Sequence, residues 1–111
     1  MKKIAVVGAG AFGRNHARVL QEMGALAGVC DADTGRAAAL AAEMGTVVLE
    51  DWAGVAGVAA GAVVAVPTVA HEEVGCALME AGMDVLVEKP IAPTVAAAER
   101  LVETARRTGR I

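Results

Sequence analysis

Residues able to do chemistry gather at a few points in this chain of 111 residues: Gly8-x-Gly10-x-x-Gly13, Asp31, Val66-Pro67-Thr68-Val69-Ala70-His71 and Glu88-Lys89-Pro90. The glycines follow an apolar run, Ile4-Ala-Val-Val7, and a helical pattern starts immediately after them. Gly8 permits a tight strand-to-helix turn, Gly10 lets the backbone approach a pyrophosphate, and Gly13 lets helix and sheet pack closely. The N–H groups around Ala11 and Phe12, at the positive end of that helix, suit phosphate oxygens. The glycine pattern alone is a weak signal, but it sits in the right strand context. Asp31 follows Gly13 at the roughly 20-residue interval of a ribose-binding acid.

Asp31 closes the predicted second strand, where its carboxylate can accept hydrogen bonds from both ribose hydroxyls of an adenosine. The same charge repels a 2′-phosphate, so it favours NAD over NADP. Its plain alternative is an ordinary loop aspartate. Arg36 could stack on adenine or soften that repulsion, which keeps NADP open, and it could equally be a solvated helix-face arginine.

The run from Val66 to His71 follows the predicted fourth strand, at the point of an open sheet where ligands bind. Pro67 fixes the chain, and the Thr68 hydroxyl can cap a helix or meet a ribose. His71 either reaches cofactor or substrate or makes a local bond at a helix start. Glu88-Lys89-Pro90 follows the fifth predicted strand. There the Lys89 ammonium could polarise a reacting oxygen and help move a proton while hydride passes to nicotinamide. A surface ion pair is the alternative, though such pairs contribute little stability.

The elements that must position these residues alternate along the chain. Strands are predicted at Lys3–Val7, Ala25–Cys30, Thr46–Leu49, Ala62–Val66 and Asp84–Val87. Helices are predicted at Phe12–Met23, Thr34–Met44, Val69–Ala81 and Thr94–Thr108, with at most a short glycine-weakened one at Trp52–Val58. Phe12, His16, Val19, Leu20 and Met23 share one side of the first helix. Thr34 and Thr94 are expected N-caps, and Gly45, Gly82 and Gly109 expected stops. Apolar strands joined by helices imply an α/β fold, a doubly wound parallel sheet in strand order 3-2-1-4-5. The whole chain, 1–111, reads as one dinucleotide-binding domain, with a sixth strand and a second domain absent.

A net charge of −3 and no basic stripe with interleaved aromatics argue against nucleic acid or an anionic membrane as partner. No apolar run approaches the ~18 residues of a membrane span. Met1-Lys-Lys before apolar residues superficially suggests a signal peptide, but glycines break the run and no clear cleavage site follows. Cys30 and Cys76 match no metal spacing and read as buried reduced thiols, consistent with a cytoplasmic protein. No metal site is expected.

Together Gly8-Ala-Gly-Ala-Phe-Gly-Arg-Asn-His16, Val29-Cys-Asp31 with Arg36, Pro67-Thr68-x-x-His71 and Glu88-Lys89-Pro90 carry a likeness. In that order and spacing the chain resembles the N-terminal domain of the glucose–fructose oxidoreductase/inositol dehydrogenase/MocA family, over essentially its whole length. The resemblance implies NAD(P)-dependent oxidation or reduction of sugars, cyclitols and related compounds. It also implies that Lys89 belongs to the catalytic centre and that Glu88-Lys89-Pro90 lies by the nicotinamide. Many members have Thr-Pro where this chain has Val66-Pro67, which removes one hydroxyl contact. The Val-Pro-Thr form is similar to that of members acting on nucleotide-activated amino sugars. Members continue into a large α/β domain with the substrate pocket and further catalytic residues, so the chain by itself is expected to bind dinucleotide and turn over little.

A different class of function stays open: a stand-alone module that senses NAD(H) or another adenine nucleotide and regulates a partner. The oxidoreductase reading implies a small sugar-like substrate for the full-length enzyme. An uncovered edge at the last strand, or uncovered apolar helix faces, is expected to drive self-association.

Overall fold

The computed structural model describes residues 2–111, so Met1 of the expected domain, with its part in the leader-like start, lies outside the described residues. The elements run β1 (Ile4–Val7), α1 (Ala11–Glu22), β2 (Leu26–Cys30), α2 (Thr34–Met44), α3 (Trp52–Val58) and β3 (Gly61–Val64). A 3₁₀ turn at Thr68–Ala70, α4 (His71–Glu80), β4 (Asp84–Val87) and α5 (Val95–Thr108) complete the chain.

The strands form one parallel sheet in the order β2-β1-β3-β4. Parallel strands covered on both faces read as continuous apolar runs, and the side chains of β1 divide accordingly. Ala5 and Val7 join Leu78, Met83 and Val55 on one face, while Val6 joins Ala17, Leu40 and Met44 on the other. From β1 the sheet is extended by β2 on one side and β3 on the other. The crevice at the carboxyl ends of those strands is therefore the switch point where open α/β sheets bind ligands.

The expected strand Thr46–Leu49 is not a strand, and the sheet has four strands rather than five. Only Val48 bridges to Val29, through Val29 N–H to the Val47 carbonyl (3.0 Å) and Leu49 N–H to the Val29 carbonyl (2.8 Å). The segment joins two helices, α2 closing on Gly45 and α3 capped by Asp51. Leu49 is anchored by packing against Gly28, where a Cβ would come within 2.8 Å of its side chain, rather than by a ladder. The segment still lies outside β2, in the place the predicted order assigned it.

Other boundaries moved for local reasons. Asp33, not Thr34, caps α2, its carboxylate accepting the Arg36 N–H at 3.0 Å. The helix expected from Val69 opens as a 3₁₀ turn and becomes α-helical at His71. Thr94 caps α5 as expected, accepting the Ala97 N–H, and Gly109 closes it in the left-handed conformation. The expected stripe on α1 does not face the sheet as a whole: Phe12 is 69% exposed and Met23 61%, while Gly13 and Ala17 are buried. Small residues take the inner face because the helix lies directly on the backbone of the glycine turn.

At the β4 edge, Val85 N–H donates to the Ile111 carbonyl (3.0 Å) and Ile111 N–H to the Asp84 carboxylate (2.9 Å). Leu86 on that strand is 60% exposed. Among the described residues no helix is long and apolar enough to cross a membrane, and no group of three His, Cys, Asp or Glu is placed to hold a metal. Cys30 is buried and Cys76 partly so, and both are free thiols. Burial pushes the Cys30 thiol up from its ordinary value, helped by the neighbouring Asp31 and Asp51 charges.

Candidate functional site

The glycine turn is fixed by close backbone approach. Gly8 has φ +109°, and a Cβ there would lie 2.5 Å from the Ala65 carbonyl group. A Cβ on Gly13 would fall 1.6 Å from the Gly8 carbonyl oxygen. Gly10 differs: nothing lies within 4 Å of the place its Cβ would occupy. Gly10 is also the N-cap of α1, and no side chain caps that end. Ala11 and Phe12 border a space that side chains leave open, and the first N–H groups of a helix have no intrahelical partners. That is the donor set a pyrophosphate requires.

Asp31 stands across from this turn. One carboxylate oxygen accepts the Ala9 N–H (2.7 Å) and the other the Asp33 N–H (2.8 Å). Each oxygen keeps a lone pair for a further donor, so the acid fastens the glycine loop and still presents acceptors to a diol. Arg36 lies one helical turn beyond and reaches Asp33 only at 3.9 Å.

A cavity of 270 Å³ at the carboxyl edge of the sheet is lined by Gly8, Gly10, Ala11, Phe12, Asp31, Arg36, Ala65, Val66, Pro67, Thr68, His71, Glu88 and Lys89. It thus brings together all but two of the residues singled out from the sequence. Gly13 lies beneath the turn as packing, and Pro90 follows Lys89 through a cis peptide. A larger depression of 650 Å³ is walled entirely by α5 residues between Val95 and Arg106. It is the outer face of one helix, with no converging backbone donors, and lacks the features of a nucleotide site.

Thr68 makes no capping hydrogen bond and borders the cavity with its hydroxyl free for a ligand. His71 also borders it but is only 1% exposed, and both its ring nitrogens face backbone carbonyls, Val66 at 2.9 Å and Ile91 at 3.1 Å. Of the two uses weighed for this histidine, the local bond is the one the geometry displays.

Sequence reasoning missed the partner of Glu88. Its carboxylate is 3.0 Å from His16 Nε2 and also accepts the Lys89 N–H at 3.3 Å. His16 lies three residues after Gly13 on α1, but no local spacing ties it to Glu88, 72 residues further along. The His16 hydrogen bond holds the Glu88 carboxyl below its ordinary value; partial burial opposes it, and the hydrogen bond from the Lys89 amide adds to the lowering. A carboxyl depressed by folding contributes stability that is fully present above the unfolded pKa of about 4.3 and is lost as pH falls through the lower folded value. Melting temperatures of the wild type and His16→Gln should therefore differ near neutrality and converge in acid. A gap that persists at pH 2 would contradict the linkage.

With this geometry established, the comparisons define a class. Residues 2–111 match the family described as "Oxidoreductase family, NAD-binding Rossmann fold", and the chain belongs to it. It is 43% identical to inositol 2-dehydrogenase 1 of Saccharopolyspora erythraea over 97% of its own length and 34% of that protein. Among solved structures, UDP-N-acetylglucosamine 3-dehydrogenase GnnA from Acidithiobacillus ferrooxidans is similar at TM-score 0.93 and 29% identity, over 99% of this chain and 35% of that one. GenD2 from gentamicin A biosynthesis, solved in complex with NAD, is similar at TM-score 0.88 and 30% identity, over 100% of this chain and 34% of that one. The chain thus spans about a third of the length of the relatives it matches. NAD is the cofactor class of the family, and an uncapped helix start facing open space beside a diol-acceptor carboxylate suits it.

Proposed function

We propose that this chain is the dinucleotide-binding domain, 1–111, of an oxidoreductase that moves hydride between nicotinamide and a hydroxyl of a sugar, cyclitol or nucleotide sugar. The observation that carries the reading is the single cavity bordered by the open α1 start, Asp31 and Lys89. Names of similar proteins, an inositol dehydrogenase and a UDP-sugar dehydrogenase, support the substrate class. Their greater length supports a separate substrate domain.

When bound, NAD supplies the hydride acceptor. The chain's own residues do the rest. Amides of Ala11, Phe12 and Gly13 hold the diphosphate, and Gly10 leaves room for it. Asp31 accepts from the ribose hydroxyls, with Arg36 beside the adenine end. Val66, Pro67 and Thr68 line the wall towards the nicotinamide. Glu88 and Pro90 flank Lys89, whose ammonium stabilises charge on the reacting oxygen and relays its proton. The regulatory sensor is the weaker reading, because it gives Lys89 no task at this edge.

Asp31→Ala is expected to weaken NADH by about 10- to 100-fold, the effect of losing charge-assisted hydrogen bonds. NADPH should lose less, because the repulsion of its 2′-phosphate disappears too. Calorimetry of both nucleotides on both proteins gives the ratio, and equal losses would count against the ribose role. Self-association of the isolated chain is proposed as well, supported by the exposed Leu86 on the edge strand. A monomer mass independent of concentration in sedimentation would contradict it.

A further inference from the structure

The chain has two histidines, and both hold the segment that carries Lys89. His16 engages the Glu88 carboxylate from α1, and His71 engages the Ile91 carbonyl from α4. His71 does more, because its other nitrogen meets the Val66 carbonyl at 2.9 Å and so ties the β3 loop to the β4 loop. Neutral imidazole has one N–H and one acceptor nitrogen, whereas imidazolium donates from both. Two carbonyl acceptors on one ring are therefore both satisfied only when the ring carries two protons. With one proton, a nitrogen lone pair faces a carbonyl oxygen inside the core and one tether is lost.

We infer that His71 is a positioning residue: its imidazolium straps the Val66 loop to the Glu88–Ile91 segment and so sets Lys89 against the nicotinamide, and loss of its proton releases the strap. The role of Lys89 rests on the function proposed above. The strap itself rests only on the ring and its two carbonyls.

The charges around the ring act in both directions. Glu72 and Glu73 in the first turn of its own helix favour the cation, as does Glu88 on the β4 segment. Lys89 and the positive end of α4 oppose it. Across the cavity Asp31 and Arg36 offset each other in sign, and Arg100 of α5 is paired with Glu72. The Gly61–Val64 strand and α3 carry no titratable side chain besides.

The test uses the ligand-free chain labelled with ¹⁵N at the histidine rings, with His16→Gln assigning the two spectra. Two protonated ring nitrogens are expected for His71, becoming one as pH rises. The backbone amides of Lys89 and Ile91 should shift with the same midpoint. Because Val66 lines the cavity and is released with the strap, NADH affinity of the wild type should then fall about 2- to 10-fold through that midpoint, the effect of one hydrogen bond, while His71→Gln shows no such step. A singly protonated His71 at every pH where the protein is folded would overturn the inference. So would a titration to which Lys89 and Ile91 do not respond, or a step that persists in His71→Gln. The wild-type spectra need no variant to fold. A failure of the dinucleotide reading would appear separately, as absent NADH binding with the ring spectra unchanged.

Discussion

Gly13→Ala is expected to lower stability by about 3 kcal/mol or more, a fall in Tm of about 12 °C or more for a domain of this size. The added methyl would sit 1.6 Å from the Gly8 carbonyl oxygen. That contact is with backbone, so no rotamer change relieves it. Either α1 lifts from the sheet or the glycine turn deforms, and each separates the helix start from Asp31. Gly10→Ala is the informative contrast, since its Cβ meets nothing within 4 Å and its backbone is extended. It should melt near the wild type yet bind NADH more weakly, because the methyl enters the space left for phosphate. Differential scanning calorimetry with and without NADH separates the two. A Gly13→Ala variant melting within a degree or two of wild type would contradict the packing account.

The second large effect belongs to Lys89. In an active enzyme carrying this domain, Lys89→Met should lower kcat by about 10²- to 10⁴-fold, the range for losing a positioned proton donor. NADH affinity should hold, because methionine keeps the length of the stem and the pyrophosphate and ribose contacts lie elsewhere. Single-turnover hydride transfer monitored at the nicotinamide absorbance reads the chemical step directly. Retained kcat would remove Lys89 from the chemistry and return the pair with Glu88 to a surface role.

The parts of this arrangement legible in the sequence are those set by steric necessity. Gly8 and Gly13 are glycines because any Cβ would strike backbone, and Asp31 terminates a strand whose register with β1 brings it to the Ala9 amide. Strand β4 and α5 were likewise readable, one as an apolar run between Gly82 and a charged pair, the other from Thr94 and Gly109. What stayed hidden depends on contacts between distant residues. Val47 and Val48 have strand propensity, but the segment makes a single bridge to Val29 and is held by Leu49 packing against Gly28, a contact that periodicity does not register. The outward turn of Phe12 follows from the closeness of α1 to the turn below it. His16 and Glu88 lie 72 residues apart in sequence and meet only because β4 ends opposite α1.

The most direct test of the central claim is an NADH titration of the ¹⁵N-labelled chain followed through its backbone amides. Saturable shifts are predicted at Gly10, Ala11, Phe12 and Gly13, at Asp31, and at Lys89 on the opposite wall of the cavity. Saturation with those amides unmoved, or with shifts confined to the outer face of α5, would contradict it.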